Sequence, residues 1–322
     1  MIEVRNLTKR YGSFLAVDDI SFSVARGGVI GFLGPNGAGK TTTIRILSCY
    51  HPATSGTATV AGYDVFSQSM RVRARVGYLP ESTPLYTEMR VREYLNFRGK
   101  LRGMEPGRRQ RAVAEVTDRC WLREFIDRPI GQLSKGMRQR VGLADAIMHE
   151  PDVLILDEPT IGLDPTQIRE TRNLIKELGE RHTVLLSSHI LHEIEAMCSR
   201  AIIIASGKVV ASGSPQELRE KFSAKAKVVA EVRASANEVE AGARALPGVQ
   251  AVSVAQNDGW VRLSIDAGGD RDVREEVFKM SSSKGWTLRE LRREGATLED
   301  FFIQVTAEQA QQGRSQRVTR NS

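Results

Sequence analysis

A glycine-rich loop near the start of the chain has the residue types and the spacing that bind phosphate groups. It reads Gly34-Pro35-Asn36-Gly37-Ala38-Gly39-Lys40-Thr41 and is followed by Thr42. In a G-x-x-x-x-G-K-[ST] pattern, the glycines let successive backbone N–H groups turn towards one anion. The helix that follows adds the positive end of its dipole. We expect Lys40 to reach the β- and γ-phosphates of ATP and the Thr41 hydroxyl to hold Mg²⁺.

An acidic pair, Asp157 and Glu158, follows an apolar run further along the chain. The run, Val153-Leu154-Ile155-Leu156, is typical of a central parallel strand. An aspartate at the end of such a strand, beside a phosphate loop, can bind Mg²⁺, usually through a water molecule. The next residue, Glu158, is then placed to polarise the attacking water. An ordinary acidic pair at the surface is the alternative, and the phosphate loop disfavours it.

A histidine, His189, ends a second apolar run, Leu185-Leu186-Ser187-Ser188. A single histidine is more often structural than functional. This one, however, lies 32 residues after Asp157, where the next strand of a parallel sheet would end. Because the carboxyl ends of parallel strands share one edge of the sheet, we expect His189 and Asp157 at the same edge. A functional role is therefore the favoured interpretation.

These segments require strands that end side by side, and the sequence supplies them. Val29–Leu33 predicts a buried strand directly before the phosphate loop. Asp18–Val24 and Gly56–Gly62 predict further strands, and residues of about 88–150 are mainly helical in pattern. The predicted fold class is α/β, with a phosphate-loop core, an antiparallel β subdomain and a helical subdomain.

A fourth segment, Leu133-Ser134-Lys135-Gly136-Met137, lies between the loop and the acidic pair and precedes apolar residues at helical spacing. With it, residues 1–220 resemble the ATP-binding cassette (ABC) ATPases, the cytoplasmic nucleotide-binding subunits of membrane transporters. The segment stands where that family has its Leu-Ser-Gly-Gly-Gln signature. The resemblance implies that Ser134 and Gly136 meet the γ-phosphate of ATP held by an opposite subunit, in a head-to-tail dimer with two ATP molecules. Ser134 also suits a plain helix N-cap.

The same resemblance assigns further roles. Tyr11 corresponds to the aromatic residue that stacks on adenine, with a packing tyrosine at a strand edge as the alternative. Leu163 and Asp164 match the segment that crosses the dimer interface. His189 matches the histidine that senses the γ-phosphate. The implied catalytic residues are Glu158, His189 and Lys40.

The sequence departs from the family pattern in two of these motifs. Glu81, at the end of Gly77-Tyr78-Leu79-Pro80-Glu81, replaces a glutamine that links Mg²⁺ to the transporter contact surface. A carboxylate binds Mg²⁺ more strongly than an amide and adds negative charge, so we expect an altered metal or pH dependence. In the signature, Lys135 replaces a glycine and Met137 a glutamine. The predicted metal ligands are therefore Thr41, Glu81 and Asp157. The Glu81 segment is similar to an exporter branch that includes gliding-motility-associated and multidrug ABC ATPases.

The net charge of +7 is unevenly distributed. The segment Arg90–Arg111 contains eight basic residues, and only Glu93 and Glu105 oppose them within it. In the family this segment belongs to the helical subdomain that faces the membrane subunits. A patch that contacts the permease or anionic lipid is one interpretation, and a well-solvated charged helix pair is the other. Nucleic acid is not expected, because aromatic residues that could stack on bases are sparse there.

The composition of the chain changes after about residue 220, where we expect a second domain over residues 226–308. Its strands and helices are predicted in the order β-α-β-β-α-β, which is the ferredoxin-like arrangement of an α+β domain. The Thr-x-x-Asp pattern at Thr297 predicts one more helix. Residues 309–322 are polar and are predicted to be disordered. This domain has no histidine or cysteine, and regulation, dimer support and scaffolding all stay open as its role.

Several features of the composition indicate where the protein works. No apolar run approaches the roughly 18–20 residues that span a bilayer. The first residues pass directly into strand-like alternation, so no signal peptide is expected. Cys49, Cys120 and Cys198 lack metal-ligand spacing and fit reduced, buried thiols. We therefore expect a cytoplasmic protein, peripheral at the inner face of the cell membrane.

The sequence thus favours an ATPase subunit, with ATP and Mg²⁺ as cofactors, that powers a separate membrane permease, an exporter by its resemblance. Its partner cassette is a second copy or a related chain, and the transported substrate stays open. The alternative is a soluble ABC ATPase that acts on ribosomes or nucleic acid. Only 94 residues separate Lys40 from Ser134, which excludes the long coiled coil of chromosome-maintenance relatives, and translation-type relatives carry two cassettes. A non-hydrolysing ATP switch is disfavoured by the intact pair of Asp157 and Glu158.

Overall fold

The computed structural model describes residues 1–218, 227–268 and 271–294. The predicted helix from Thr297 and the predicted tail 309–322 lie outside these residues. The strands are β1 (Ile2–Tyr11), β2 (Phe14–Val24), β3 (Val29–Leu33), β4 (Ser55–Val60), β5 (Tyr63–Asp64), β6 (Val76–Leu79), β7 (Val153–Asp157), β8 (Thr183–Ser188), β9 (Arg200–Ala205), β10 (Lys208–Gly213), β11 (Lys227–Arg233), β12 (Ala251–Asn257), β13 (Trp260–Asp266) and β14 (Thr287–Glu294). The helices are α1 (Lys40–Leu47), α2 (Ser69–Arg75), α3 (Val91–Leu101), α4 (Pro106–Arg119), α5 (Lys135–Ile147), α6 (Pro165–Arg181), α7 (Leu191–Met197), α8 (Ala236–Arg244) and α9 (Arg274–Ser283).

A six-stranded sheet forms the centre of the first 215 residues, in the order β10-β9-β3-β8-β7-β6. All neighbouring strands are parallel except β10, which pairs antiparallel with β9. Every residue of β3, β7 and β8 is buried, which explains their almost continuous apolar runs. Asp157 lies opposite Ser187 across the β7–β8 pair. The prediction that Asp157 and His189 share one edge of a parallel sheet is therefore confirmed.

A second, antiparallel sheet in the order β2-β1-β4-β5 packs against this centre. Ile2, Leu7 and Ile20 from its strands join Phe32 of β3 and Ile44 of α1 in one buried cluster. The antiparallel β subdomain is thus present, as predicted. Because β3 and α1 are both anchored in this shared core, the loop between them is held at its two ends.

The predicted helical subdomain is also present and lies between β6 and β7 in the chain. It consists of α3, α4 and α5, with short 3-10 helices at Arg123–Phe125 and Ile130–Gln132. The buried face of α3 includes Val91 and Leu95, and that of α5 includes Val141 and Leu143. The insertion therefore has an apolar core and places the start of α5 on its surface.

The chain divides into two units, Met1–Pro215 and Gln216–Ser322. In the second unit, the described elements follow the predicted order β-α-β-β-α-β. Its antiparallel sheet has the order β12-β13-β11-β14, and its core includes Val228, Val239 and Leu263. The second helix of this unit starts at Arg274, whose backbone N–H donates to the Asp272 carboxylate. The assignment to the ferredoxin-like class, and the limits of this domain, stay predictions.

At Gly77 of β6, the helical subdomain packs closely against the central sheet. A Cβ atom at Gly77 would overlap with the carbonyl oxygen of Ala146 in α5 and would lie 2.7 Å from Leu154 Cδ2. We expect Gly77→Ala to lower the free energy of unfolding by about 1–3 kcal/mol, because backbone must move to admit the methyl group. Urea denaturation followed by circular dichroism measures the change.

The matched control is Gly107→Ala in the first turn of α4, where a Cβ meets no atom within 4 Å. Alanine has a higher helix propensity than glycine, so we expect the free energy of unfolding to rise by up to about 1 kcal/mol. Equal denaturation midpoints for the two variants would contradict the packing argument.

Candidate nucleotide site

The phosphate loop connects the end of β3 to the start of α1, and two of its glycines are required by their surroundings. Gly39 has φ 102° and is the N-cap of α1. A Cβ there would lie 2.5 Å from the carbonyl oxygen of Ala16, and one at Gly34 would overlap with the carbonyl oxygen of Ile204. The neighbouring strands thus press the loop into the turn that the sequence pattern predicts.

Lys40 is the first residue of α1, and its ammonium group is buried in the loop. Its Nζ donates to the carbonyl oxygens of Gly34 at 2.7 Å and Pro35 at 3.2 Å, and lies 3.6 Å from Glu158 Oε1. Burial lowers the pKa of Lys40, while the carboxylates of Glu158 and Asp157 oppose that shift. The loop therefore holds a desolvated cation beside the position that the phosphates would take.

Asp157 is fully buried at the end of β7, and only one of its two carboxylate oxygens has a protein partner. Oδ1 accepts a hydrogen bond of 2.5 Å from Ser187 Oγ, and Thr41 Oγ1 lies 3.4 Å away. Oδ2 makes no hydrogen bond. Burial raises the pKa of the Asp157 carboxyl, and the hydroxyl groups of Ser187 and Thr41 oppose that shift. An orphaned buried carboxylate oxygen beside a hydroxyl group fits a hard cation such as Mg²⁺.

The same structure limits how such a cation is held. Within the described residues, no group of three or more His, Cys, Asp or Glu side chains is arranged to hold a metal ion. A Mg²⁺ at this position would therefore take few ligands from the protein and the rest from phosphate oxygens and water, as is usual for this ion.

Glu158 and His189 form a direct pair at the ends of β7 and β8. His189 Nδ1 lies 2.9 Å from Glu158 Oε2. Burial raises the pKa of the Glu158 carboxyl, and the hydrogen bond from His189 opposes that shift. Glu158 also has φ 51°, and its backbone N–H donates to Ser187 Oγ at 3.0 Å. The carboxylate is thus fixed both by its own backbone and by the histidine.

A cleft of about 440 Å³ joins these groups. It is lined by Phe14, Ala16, Pro35, Asn36, Gly37, Gly39, Lys40, Thr41, Thr42, Glu81, Glu158, Ile161 and His189. Most residues predicted for phosphate and metal contact therefore meet in one place, including Glu81, which is exposed at the cleft. Asp157 stands behind it, within reach of Thr41.

The aromatic residue in the cleft is not the one that the sequence predicts. Tyr11 is not among the lining residues, and its ring makes an edge contact with His51 at 6.2 Å between centroids. Phe14, which pairs with Tyr11 across the β1–β2 hairpin, lines the cleft and is 61% exposed. The role of Tyr11 in adenine stacking stays a prediction, and Phe14 is a second candidate that the family motif does not indicate.

The signature residues Ser134 and Gly136 lie outside the cleft of their own chain. Ser134 is exposed at the start of α5, where its Oγ accepts from the backbone N–H of Met137 at 3.2 Å, so the predicted N-cap is present. Gly136 is packed so closely that a Cβ would lie 2.6 Å from Gln167 Oε1 of α6. The segment therefore forms the start of α5 and does not line the cleft of its own chain.

Ser187 is a site residue that the sequence interpretation missed. Its hydroxyl donates to Asp157 and accepts from the backbone of Glu158, so it orients both members of the acidic pair. The signal that could have indicated it is a hydroxyl residue at the end of a buried strand, two positions before His189. The fold and the site together define a P-loop ATPase of the cassette type.

Comparisons with known proteins agree with this class. The ABC transporter family profile matches residues 17–161. The linearmycin resistance ATP-binding protein LnrL of Bacillus subtilis (strain 168) is 32% identical over 307 residues, which cover 95% of this chain and 98% of LnrL. The bacitracin transport ATP-binding protein BcrA of Bacillus licheniformis is 40% identical over 212 residues, 65% of this chain and 68% of BcrA.

Solved structures show the same architecture. An ATP-binding subunit of an ABC transporter aligns with a TM-score of 0.64 at 30% identity, over 69% of this chain and 93% of that one. A dimeric cassette bound to ADP and Pi aligns with a TM-score of 0.62 at 23% identity, over 66% and 98%. The chain belongs to the family of ABC transporter ATP-binding proteins, and it is an ATPase.

The buried charge of Asp157 generates a test of the metal site. Because burial raises the pKa of Asp157 above its value in the unfolded chain, its charge costs stability at pH 7, and that cost disappears as the pH falls towards about 4. We expect Asp157→Asn to unfold at higher urea than the wild type at pH 7 in nucleotide-free buffer. The difference should shrink as the pH is lowered.

Added Mg²⁺ gives the second readout of this experiment. With ATP present, Mg²⁺ should raise the denaturation midpoint of the wild type and leave that of Asp157→Asn almost unchanged. The matched control is Asp152→Asn, which removes a surface carboxylate paired with Arg75 at 2.9 Å and should retain the Mg²⁺ effect. An equal Mg²⁺ effect in all three proteins would exclude Asp157 as a metal ligand.

Proposed function

We propose that this protein is the ATP-hydrolysing subunit of a membrane exporter, and that a separate permease carries the transport pathway. The observation that carries this proposal is the single cleft where Lys40, Thr41, Glu158 and His189 converge, with Asp157 behind them. Phosphoryl transfer requires positioning and charge stabilisation more than covalent chemistry, and this set of groups supplies both.

Each of these side chains has a defined task in hydrolysis. Lys40 exchanges the loop carbonyls for phosphate oxygens and stabilises the charge on the transferred group. Thr41 and Asp157 would hold Mg²⁺, which would neutralise phosphate charge, and Glu81 lines the cleft and could contribute a ligand. Glu158 polarises the attacking water, because its raised pKa makes it a better proton acceptor than an exposed carboxylate. His189 orients Glu158 and contacts the γ-phosphate.

A second cassette completes the site. Ser134 and Gly136 stand at an exposed helix start outside their own cleft, where the N-terminal dipole of α5 favours an anion. In a head-to-tail dimer each signature would contact ATP on the phosphate loop of the other subunit. The partner is a second copy of this chain or a related cassette.

Export is the direction that the relatives favour. LnrL is named for resistance to linearmycin and BcrA for bacitracin transport. Both names fit removal of a toxic compound from the cell. We propose the same direction of transport for this chain but do not transfer the transported compounds to it. Neither of these two names supports the soluble alternative, an ABC ATPase that acts on ribosomes or nucleic acid.

The protein would work at the inner face of the cell membrane. In the described part of the chain, no helix combines the length and the apolar character that a membrane span requires. Attachment would therefore depend on the permease, with anionic lipid as a lesser contribution. Three cations of the Arg90–Arg111 segment form ion pairs with carboxylates outside it, namely Arg92 with Asp127, Arg98 with Asp145 and Arg108 with Glu150. These pairs reduce the charge available to lipid.

Glu158→Gln tests the chemistry. The substitution keeps the size of the side chain but removes the group that polarises water, so we expect ATP turnover to fall by about 10²–10⁴-fold. ATP binding, measured by equilibrium dialysis with Mg²⁺, should stay within about threefold of the wild type. Glu180→Gln, an exposed site on α6, is the control that should leave turnover unchanged. Unchanged turnover in Glu158→Gln would refute the role of this residue.

The same variant tests the partner. We expect tagged Glu158→Gln protein with ATP to recover a polytopic protein of about six hydrophobic spans from detergent-solubilised host membranes. The slowed hydrolysis keeps the ATP-bound form populated during the wash. Recovery of ribosomes or nucleic acid instead of a membrane protein would move the proposal to the soluble alternative, with the ATP chemistry intact.

A further inference from the structure

Glu193, in α7, is a buried carboxylate that has no part in the proposed hydrolysis. Only 2% of its surface is exposed, yet both of its oxygens have partners. Oε2 accepts from Thr160 Oγ1 at 2.8 Å and from Ser188 Oγ at 3.0 Å, and Oε1 accepts from the Arg172 guanidinium at 3.3 Å. A buried carboxylate is costly unless it is paired and hydrogen-bonded, and here both conditions are met.

The two hydroxyl groups that donate to Glu193 belong to segments next to the catalytic pair in the chain. Thr160 lies two residues after Glu158, in the turn that follows β7. Ser188 is the last residue of β8 and directly precedes His189. One carboxylate oxygen therefore bridges the backbone segments that deliver Glu158 and His189.

The turn after β7 needs such a support because its backbone is strained. Glu158 has φ 51°, in the left-handed region that residues with a Cβ rarely adopt. Local bonds hold one side of the turn, from Glu158 N–H to Ser187 Oγ and from Ile161 N–H to the carbonyl oxygen of Glu158. The Thr160 hydroxyl, directed to Glu193, holds the other side.

We propose that Glu193 is a positioning residue for ATP hydrolysis, which keeps Glu158 and His189 at their 2.9 Å separation by holding the Thr160 and Ser188 hydroxyls on one oxygen. Arg172 balances its charge and fixes the orientation of the carboxylate, with 22% of its side chain exposed. The inference rests on the proposed role of Glu158 and His189 and deepens it.

A purely structural role for Glu193 makes a different prediction. Its helix α7 is already attached to the sheet through Ile194, which packs so closely on β3 that a Cβ at Gly31 would lie 2.7 Å from it. If Glu193 only supported α7, its loss would lower stability, and the remaining folded enzyme would turn over normally. A positioning role instead lowers the rate of the folded enzyme without weakening ATP binding.

Glu193→Gln is the principal test because it keeps the shape of the side chain. An amide has one acceptor oxygen, so it cannot accept from both hydroxyls and from Arg172 as the carboxylate does. We expect kcat for ATP to fall by about 10- to 100-fold, as a small misplacement of reacting groups does, while KM stays within about twofold. The exposed Glu180→Gln serves again as the matched control.

Thr160→Val removes the hydroxyl donor of the same contact. It provides an independent test if Glu193→Gln does not fold. It removes the 2.8 Å hydrogen bond and nearly preserves side-chain volume, so we expect the same change in kcat with KM unaffected. Circular dichroism and urea midpoints confirm that both variants are folded. A kcat equal to that of the wild type in both folded variants would overturn the proposal.

A double-mutant cycle with His189→Ala decides whether Glu193 acts through the catalytic pair. Single-turnover rates are measured for Glu193→Gln, His189→Ala and the double variant. We expect the effect of Glu193→Gln to be largely lost when His189 is absent, because the pair it positions no longer exists. Fully additive effects would overturn the proposal. Failure of the wild type to hydrolyse ATP would instead refute the proposed function, so the two failures are distinguishable.

Discussion

The site depends on the burial of opposite charges at one edge of a parallel sheet. Lys40, Asp157 and Glu158 are each no more than 6% exposed, so each has lost most of its hydration. Isolated, such charges would be too costly to keep in the folded chain. Together they compensate one another: the 3.6 Å contact between Lys40 and Glu158 and the carbonyls around Nζ hold the cation, and Ser187 holds the aspartate. One oxygen of Asp157 has no hydrogen-bond partner, and a bound cation would supply the missing interaction.

Preorganisation follows from the same constraint. Electrostatic groups accelerate a reaction when they are fixed before it starts and when water is excluded. The left-handed backbone of Glu158, the hydroxyl of Ser187 and the imidazole of His189 together fix the position of Glu158. Behind them, Glu193 connects the two loops. Ser187 and Ser188 of β8 and Glu193 of the following helix thus contact the groups around Glu158, which directly follows β7.

The arrangement of motifs is the structural basis of the proposed dimer. The phosphate loop and the acidic pair converge because their strands belong to one sheet, whereas the signature starts a helix of the inserted subdomain. Gly136 packs against Gln167, so the signature is fixed relative to α6 and the segment that contains Asp164. In the proposed head-to-tail dimer, ATP bound in one cleft would meet the signature of the second cassette.

The sequence by itself determined the family and the α/β core, and it predicted the loop, the acidic pair and His189 as candidate site residues, because contiguous motifs fix local backbone and because parallel strands end at one edge. It did not indicate that Phe14 lines the cleft, or that Asp127 and Asp145 are partners of the basic segment. It also gave no sign of Glu193 beneath the catalytic pair. Only the tertiary structure decided these points, since they depend on side chains distant in the chain that meet when helices pack on the sheet.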